Sequence, residues 1–163
     1  MPGSVLSKFG KDLVDRYSCI RVFVYSLFVN GRCCDMGERK IKSFEDLEVW
    51  QVCRDLRRSM TSFARTLPPE EKFKLTDQII RAARSVTNNI AEGYGRYHFQ
   101  ENIQFCRQSR GSLYEIMDHL TICVEENYLT DDNFKELKSD CERAIMLLNG
   151  FIRFLQKQKK EIG

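Results

Sequence analysis

The spacing of apolar residues predicts four amphipathic helices between residues 43 and 163. In each segment the apolar positions recur at steps of three and four, which places them on one face of an α-helix. The first segment opens at Ser43, where SFED matches a capping box. It stops at Pro68-Pro69, because the residue before a proline is pushed out of the helical conformation. Its apolar face contains Phe44, Leu47, Trp50, Cys53, Leu56, Met60, Phe63 and Leu67.

The second segment is predicted to begin at Pro69, followed by two acidic residues that suit the positive end of a helix dipole. It runs out at Glu92-Gly93, and Gly93 is the candidate for the left-handed residue that ends many helices. Its apolar face contains Leu75, Ile79, Ala82, Val86 and Ile90.

The third segment has an interrupted apolar stripe. Arg110 occupies the position between Cys106 and Leu113 where an apolar residue is expected. The adjacent small residues, Gly111 and Ser112, predict the close approach of another backbone, since glycine inside a helix otherwise costs stability. The whole stripe consists of Ile103, Cys106, Leu113, Met117, Leu120 and Val124.

The fourth segment has the most regular pattern, and Thr130 or Asp131 is the predicted N-cap. Its apolar residues are Phe134, Leu137, Cys141, Ala144, Leu148, Phe151 and Leu155. Four such helices with short connections predict an all-α fold, an up-and-down antiparallel four-helix bundle formed by residues 36–163.

Residues 1–35 have no place in that bundle. The apolar run YSCIRVFVYSLFV, residues 17–29, is shorter than the ~20 residues that span a membrane. It also lacks the cleavage site that would follow a secretory signal. Met36 begins a more natural start, so residues 1–35 are interpreted as an upstream extension or a wrongly assigned start. A flexible or peripherally packed N-terminal arm is the alternative.

Composition places the chain among ordinary globular proteins, with 42% apolar and 30% charged residues. The net charge is +3; residues 1–42 carry eight Lys/Arg against four Asp/Glu and residues 43–163 carry eighteen against nineteen, so the body is near neutral and gives no strong nucleic-acid signal by charge alone. The seven cysteines form no CxxC pair, and four of them fall at apolar helical positions, namely Cys53, Cys106, Cys123 and Cys141. Reduced, core-packed thiols in a cytoplasmic protein without membrane contact are therefore expected.

No motif for catalysis is present. EGYGRY follows a helix and lacks the third glycine of a nucleotide loop. His98 and His119 are the only histidines, and neither follows the Glu-x-x-His spacing of a di-iron bundle. Asp118 and His119 point about 100° apart on a helix, so His119 is expected at the surface. We predict a protein that is not an enzyme and has no catalytic residue, cofactor or metal site.

Arginines are the remaining candidates for a functional surface. Pairs one turn apart lie on the second and third helices, with one more between them: Arg81, Arg84, Arg107, Arg110 and Arg96. If those helices are antiparallel neighbours, the guanidinium groups form one stripe suited to phosphate. The alternative is pairing with nearby acids, which are Asp77, Glu92, Glu101 and Glu115. Glu92 opposes the dipole at a helix end, so a contact with Arg96 or Arg84 is expected.

Three stretches resemble the bacterial four-helix-bundle proteins encoded by intervening sequences within 23S rRNA genes. They are FEDLEVWQ (44–51), QIIRAARSVTNNIAEGYGR (78–96) and ENIQFCRQSRGSLYEI (101–116). The resemblance spans roughly residues 40–160. Its motif positions are Trp50, Asn89, Glu92, Gly93, Gly111 and Ser112. The accessory protein of diversity-generating retroelements is similar to the same bundle type.

This resemblance implies a subunit of a ring-like homopentamer with no enzymatic activity. For the retroelement relative it implies contact with nucleic acid and a reverse transcriptase through a basic surface. The expected function is thus an oligomeric scaffold that contacts RNA or DNA, with a protein partner as a further expectation. The alternative is a protein-interaction or self-assembly module without nucleic-acid binding. Family members usually begin just before the Phe44 motif, which agrees with a start at Met36.

Overall fold

The computed structural model describes residues 41–96 and 98–162. The predicted extension of residues 1–35, and its boundary with the bundle at Met36, lie outside these described residues. The chain divides into two compact units at Leu47. The described part of the first unit is residues 41–47, and the second unit contains the four long helices.

The four predicted helices are present. They are α1 (Glu48–Ala64), α2 (Leu75–Gly95), α3 (Phe99–Glu125) and α4 (Asp131–Ile162). Each helix packs on the next, and α4 also packs against α1. The described residues contain no β-strand. The prediction of an all-α four-helix bundle is therefore confirmed. Over the same residues, no helix has both the length and the apolar character needed to cross a bilayer.

The first two helices begin later than predicted. Ser43 does form a capping box with Asp46, but the box closes a separate 3₁₀ turn, Phe44–Asp46. Leu47 then takes an extended conformation, with ψ of 121°, so α1 cannot start before Glu48. Pro69 likewise opens an isolated 3₁₀ turn, Pro69–Glu71, and α2 starts only at Leu75.

Gly93 does not end the second helix, which corrects the predicted left-handed cap. The residue is buried within α2, which continues to Gly95. A Cβ atom built on Gly93 would lie 2.8 Å from Asn102 Oδ1 and 2.9 Å from Phe105 Cβ, both on α3. Glycine is needed here because α3 passes too close for any side chain. Among the described non-glycine residues, the left-handed position belongs to Asn127, just after α3, with φ of 62°.

The buried face of α3 differs from the predicted stripe. Ser109, fully buried, occupies the place next to Arg110 that the apolar pattern left open, and Arg110 itself is half-buried. Gly111 is exposed, and a Cβ there would meet nothing within 4 Å, so the predicted close approach at Gly111 is wrong. Met117 and Val124 are only half-buried. The buried positions of α3 are Asn102, Ile103, Cys106, Ser109, Ser112, Leu113, Ile116, His119, Leu120 and Cys123.

The core is otherwise built from the predicted faces. Thr130 caps α4, since its Oγ1 accepts a hydrogen bond from the backbone N–H of Asn133 at 3.4 Å. Phe134, Leu137 and Phe151 are half-buried rather than core residues. Residues that are fully inaccessible to solvent come from all four helices, and they include Cys53, Met60, Ile79, Ile90, Leu113, Leu120, Leu148 and Leu155.

Replacing Gly93 by alanine is expected to destabilise the protein by about 1–3 kcal/mol, the usual cost of overpacking a core. The added methyl group would overlap Phe105 Cβ, which cannot move without moving the α3 backbone. Gly111→Ala is the matched control, since its methyl group enters open space and should stabilise the helix by about 0.5–1 kcal/mol. Urea denaturation of the two variants measures both changes. Equal midpoints would contradict the close approach at Gly93.

Candidate nucleic-acid interface

Small polar side chains join α2 to α3 along the length of their contact. The Ser112 hydroxyl donates to Ser85 Oγ at 2.9 Å, and Asn89 Nδ2 donates to the same oxygen at 3.0 Å. The Ser109 hydroxyl donates to the backbone carbonyl of Val86 at 2.9 Å. Serine is short enough to permit close packing of helices. Its hydroxyl still finds a hydrogen-bond partner here, and a buried hydroxyl without one would lower the stability of the fold. The motif residue Ser112 is thus a contact between the two helices, whereas Asn89 bonds to Ser85 on its own helix.

The turn that follows is held by the predicted ion pair. The Arg96 guanidinium contacts Glu92, one turn earlier on α2, and lies 4.9 Å from the centre of the Phe105 ring on α3. The carboxylate that opposes the helix dipole is neutralised in this way. Trp50, at the start of α1, is half-buried, with the Arg54 guanidinium 5.7 Å from its ring centre. The motif residue Glu92 thus stabilises the end of α2 through Arg96, and the motif residue Trp50 contacts Arg54 on its own helix.

The exposed arginines of α2 and α3 differ in whether they form an ion pair. Arg81 pairs with Asp77 on the same helix at 3.6 Å. Arg84 and Arg107 are exposed, and neither makes an ion pair with any side chain in the described part of the chain. Unpaired guanidinium groups at a surface are available to an anionic partner, because no acid competes for their donors.

Arg110 does not join these residues. Its Nη1 donates to Asn149 Oδ1 on α4 at 2.7 Å, and the side chain is half-buried. It therefore lies on the side of α3 that faces α4, whereas Ser112 lies on the side that faces α2. The five predicted arginines thus occupy an α2 face, an inter-helix turn, the exposed face of α3 and the α3–α4 contact.

A second group of arginines, which the apolar pattern did not indicate, lies on α1 and directly after its last residue. Arg57, Arg58 and Arg65 line a shallow depression together with Thr61 and Ser62. The signal was present in the stretch RDLRRSMTSFAR, residues 54–65, which holds four arginines and a single acid. The helix was predicted from its apolar face, which does not include these arginines. We call the five residues that line the depression the α1 arginine patch.

The patch connects to α2 through a bridging hydroxyl. Arg57 Nη1 donates to Thr87 Oγ1 at 2.8 Å, and the Thr87 hydroxyl donates to the carbonyl of Arg84 at 3.2 Å. Asp55 is the acid nearest in sequence, and it is held by Arg54 at 2.9 Å. Its distance to Arg58 is 3.8 Å, so Arg58 is only weakly neutralised.

His119 is buried, which corrects the expectation of a surface histidine. Only 9% of the residue is exposed, and neither ring nitrogen has a hydrogen-bond partner among the described residues. Glu115 Oε1 lies 3.8 Å from Nε2, beyond hydrogen-bond length. The histidine faces inward because α3 is rotated relative to the predicted stripe, so that positions 112, 116, 119 and 123 share its buried side.

The four helical cysteines are buried free thiols, as predicted. Burial raises the pKa of Cys53, Cys106 and Cys141 to about 12. Burial, with the nearby Glu71 carboxylate, raises the pKa of Cys123 to about 11. A thiol attacks only as its thiolate, so these groups are poor nucleophiles at neutral pH. Within residues 41–96 and 98–162, no group of three acids, histidines or cysteines is placed to hold a metal ion.

A partly apolar groove separates α3 from α4 at the surface. Its walls include Tyr114 and Met146, which are 56% and 42% exposed, and the deeper Met117 and Ile145. Glu142 and Arg153 add one charge of each sign. Phe73, in the connection between α1 and α2, is 85% exposed and does not line this groove.

Helices joined by small polar residues, buried free thiols and exposed arginines define the described part of the chain as a four-helix bundle. The model of the 23S rRNA-intervening sequence protein family matches residues 45–150. The chain therefore belongs to the family of 23S rRNA-intervening sequence proteins. A search of curated proteins gave no match.

The raised thiol pKa values predict that native protein resists alkylation at Cys53, Cys106, Cys123 and Cys141. At pH 8 the four thiols remain protonated when folded, whereas unfolding exposes them and returns the pKa to its usual value near 9. Iodoacetamide labelling followed by peptide mass spectrometry should show little modification of these sites in buffer and full modification in urea. Rapid labelling of any of them in native protein would contradict the burial.

Proposed function

We propose that this protein is a non-enzymatic, oligomeric scaffold that contacts nucleic acid through its exposed arginines. The observation that carries the proposal is the presence of exposed guanidinium groups, those of Arg84 and Arg107, without an acidic partner among the described residues. Exposed guanidinium groups without an acid keep all their N–H donors for an anionic partner.

Membership of the 23S rRNA-intervening sequence protein family supports the nucleic-acid part of the proposal by association with an rRNA gene. Arg81 and Arg96 belong to the candidate surface as well, although each already has an acid on its own helix. Arg110 is the weakest candidate, because its guanidinium is engaged by Asn149. RNA or DNA binding by this surface would rest on phosphate contacts, which arginine makes with paired donors.

The absence of enzymatic activity is part of the proposal. It is supported by the protonated state of the buried thiols, which removes the most nucleophilic side chains of the bundle from chemistry at neutral pH. His119 is also shielded, so it cannot reach a substrate at the surface.

Self-assembly is supported by Phe73 and the α3–α4 groove. An exposed phenylalanine on one part of the bundle and a partly apolar groove on another give the chain two different apolar patches. Contacts between two different patches are heterologous, and they close into a ring when the rotation between subunits allows it. Phe73 of one copy in the groove of the next would thus build a ring-like homo-oligomer, for which the resemblance implies five subunits.

The second candidate function is self-assembly or protein interaction alone, without nucleic acid. The pairing of Arg81 with Asp77 and of Arg96 with Glu92 favours it, because these arginines then serve the fold. Under this alternative, arginine substitutions weaken the oligomer and cause no separate binding defect.

A structured rRNA fragment is expected to bind the full-length protein with an affinity that falls steeply with salt. Each phosphate contact lowers the slope of log affinity against log salt by about 0.7–0.9. Fluorescence anisotropy at several salt concentrations measures the slope, and light scattering on the same samples gives the subunit number. An intact oligomer that does not bind at low salt would remove nucleic acid from the proposal and leave the self-assembly module.

Substitution of Phe73 by serine is expected to dissociate the oligomer into monomers, since it removes the apolar group that enters the groove. Met146→Asp should do the same by placing a charge in the groove. Glu70→Gln, in the same connection as Phe73 and also exposed, is the matched control and should leave the oligomer intact. Light scattering reports the mass, and circular dichroism checks that each variant is helical.

A mixture of the two interface variants separates a heterologous contact from other arrangements. The Phe73→Ser chain keeps a working groove and the Met146→Asp chain keeps its phenylalanine, so the mixture can form one contact only. Dimers are expected in the mixture and monomers in each separate sample. Unchanged oligomers for both variants would overturn the role of Phe73 and the groove.

A further inference from the structure

The α1 arginine patch has the chemistry of a phosphate-binding surface. Arg58, Thr61 and Ser62 lie within α1, and Arg65 follows directly after its last residue, Ala64; all four line the same depression. At 1.5 Å per residue, Arg58 lies about 9 Å before Ala64 along the helix axis, so Arg65 lies at the far end of the depression. The two arginines therefore present guanidinium groups in a row, long enough to contact more than one phosphate of a nucleic-acid strand.

Arg57, at the edge of this row, is held in one orientation before any ligand binds. Its hydrogen bond to Thr87 Oγ1 uses one nitrogen and holds the half-buried side chain between α1 and α2. The guanidinium has five N–H donors, so others remain for a ligand. A side chain whose rotamer is already fixed loses less conformational entropy when it binds than a free one does.

The two hydroxyls of the patch have different roles. Thr61 Oγ1 donates to the carbonyl of Arg57 at 2.7 Å, so its proton is engaged by the helix. Ser62 is exposed, and its hydroxyl has no hydrogen bond within the described residues. Ser62 can therefore donate to a phosphate oxygen beside the arginines, a contact that serine often makes to nucleic-acid backbones.

The lining of the depression favours a phosphate ligand over a protein surface. It contains three arginines and two hydroxyl residues, and no carboxylate or apolar side chain. Hot spots for protein partners combine arginine with buried aromatic anchors, and no aromatic or aliphatic side chain lines this depression. A phosphodiester backbone needs only cationic and hydroxyl donors, and Arg57, Arg58, Ser62 and Arg65 supply them.

We infer that the α1 arginine patch binds the phosphodiester backbone of nucleic acid and is the main contact of the proposed function. This inference rests on that function and assigns it to a different helix from the α2 and α3 arginines. Through its hydrogen bond to the buried Thr87, Arg57 ties the patch to α2.

The test compares two double variants of the full-length protein that lose the same charge. Arg58→Gln with Arg65→Gln removes the outer donors of the patch. Arg143→Gln with Lys160→Gln removes two exposed charges of α4 and is the control. The probe is the rRNA fragment used for the wild type, titrated at several salt concentrations. Circular dichroism and light scattering establish that both variants keep their helices and subunit number.

The patch variant is expected to bind at least tenfold more weakly than the wild type. Its salt slope should decrease by about 1.4–1.8, as expected for the loss of two phosphate contacts. The control should lose less than threefold and keep its slope. Ser62→Ala should weaken binding a few-fold at an unchanged slope, because a neutral donor releases no counterion.

The outcomes distinguish the inference from the function on which it rests. If the wild type binds and the two double variants bind equally, the inference is overturned and nucleic-acid binding by another surface stands. If the wild type does not bind, both fail. DNA of the same sequence should bind within a few-fold of RNA. Polyglutamate that competes as well as RNA would overturn the assignment to phosphate and indicate an acidic protein partner.

Discussion

The close approach of α2 and α3 at Gly93 is the constraint on which the rest of the bundle depends. Asn102 and Phe105 occupy the space where a Cβ atom of residue 93 would lie. The serine hydrogen bonds further along the same contact need the two helices to lie close together, because a serine side chain is short. Close packing and hydrogen bonding thus support each other. Separation of the helices would break the hydrogen bonds, and loss of one partner would leave a buried polar group without a hydrogen bond.

The rotation that this contact imposes on α3 determines which residues reach the surface. Ser109 and Ser112 turn toward α2, so Arg110 turns toward α4 and meets Asn149. His119 is carried inward by the same rotation, while Tyr114 is carried outward to the groove. The positions of the α3 arginines and of the groove therefore follow from the packing of α3 against α2 on the other side of the helix.

The number, type and order of the helices could be predicted because they follow from long apolar periodicities. The errors arose where one residue's role depends on its partner. Gly93 has the sequence context of a helix end, and only the position of Phe105 shows that it permits a close contact. Ser109 is polar, so an apolar pattern cannot reveal that it is buried against the Val86 carbonyl. The positive charge of the α1 arginine patch could be predicted from the sequence. The hydrogen bond that joins Arg57 to Thr87 on α2 could not, because it depends on how the two helices pack.

A bundle that is near neutral as a whole can still present a strongly basic surface, because its charges are segregated by face. On α1, Asp55 contacts Arg54 at 2.9 Å and Arg58 at 3.8 Å, whereas Arg57 and the following Arg65 have no ion pair among the described residues. On α2 and directly after it, Asp77 and Glu92 pair with Arg81 and Arg96, and Arg84 has no acidic partner among the described residues. Local fields at a surface depend on such unpaired groups within a Debye length of about 10 Å, and distant acids of the same chain contribute little. Net charge is therefore a poor guide to the partners of this protein, whereas the pairing state of each arginine is informative. In a ring, each patch would recur once per subunit, so a weak contact on one chain becomes several contacts on the assembly.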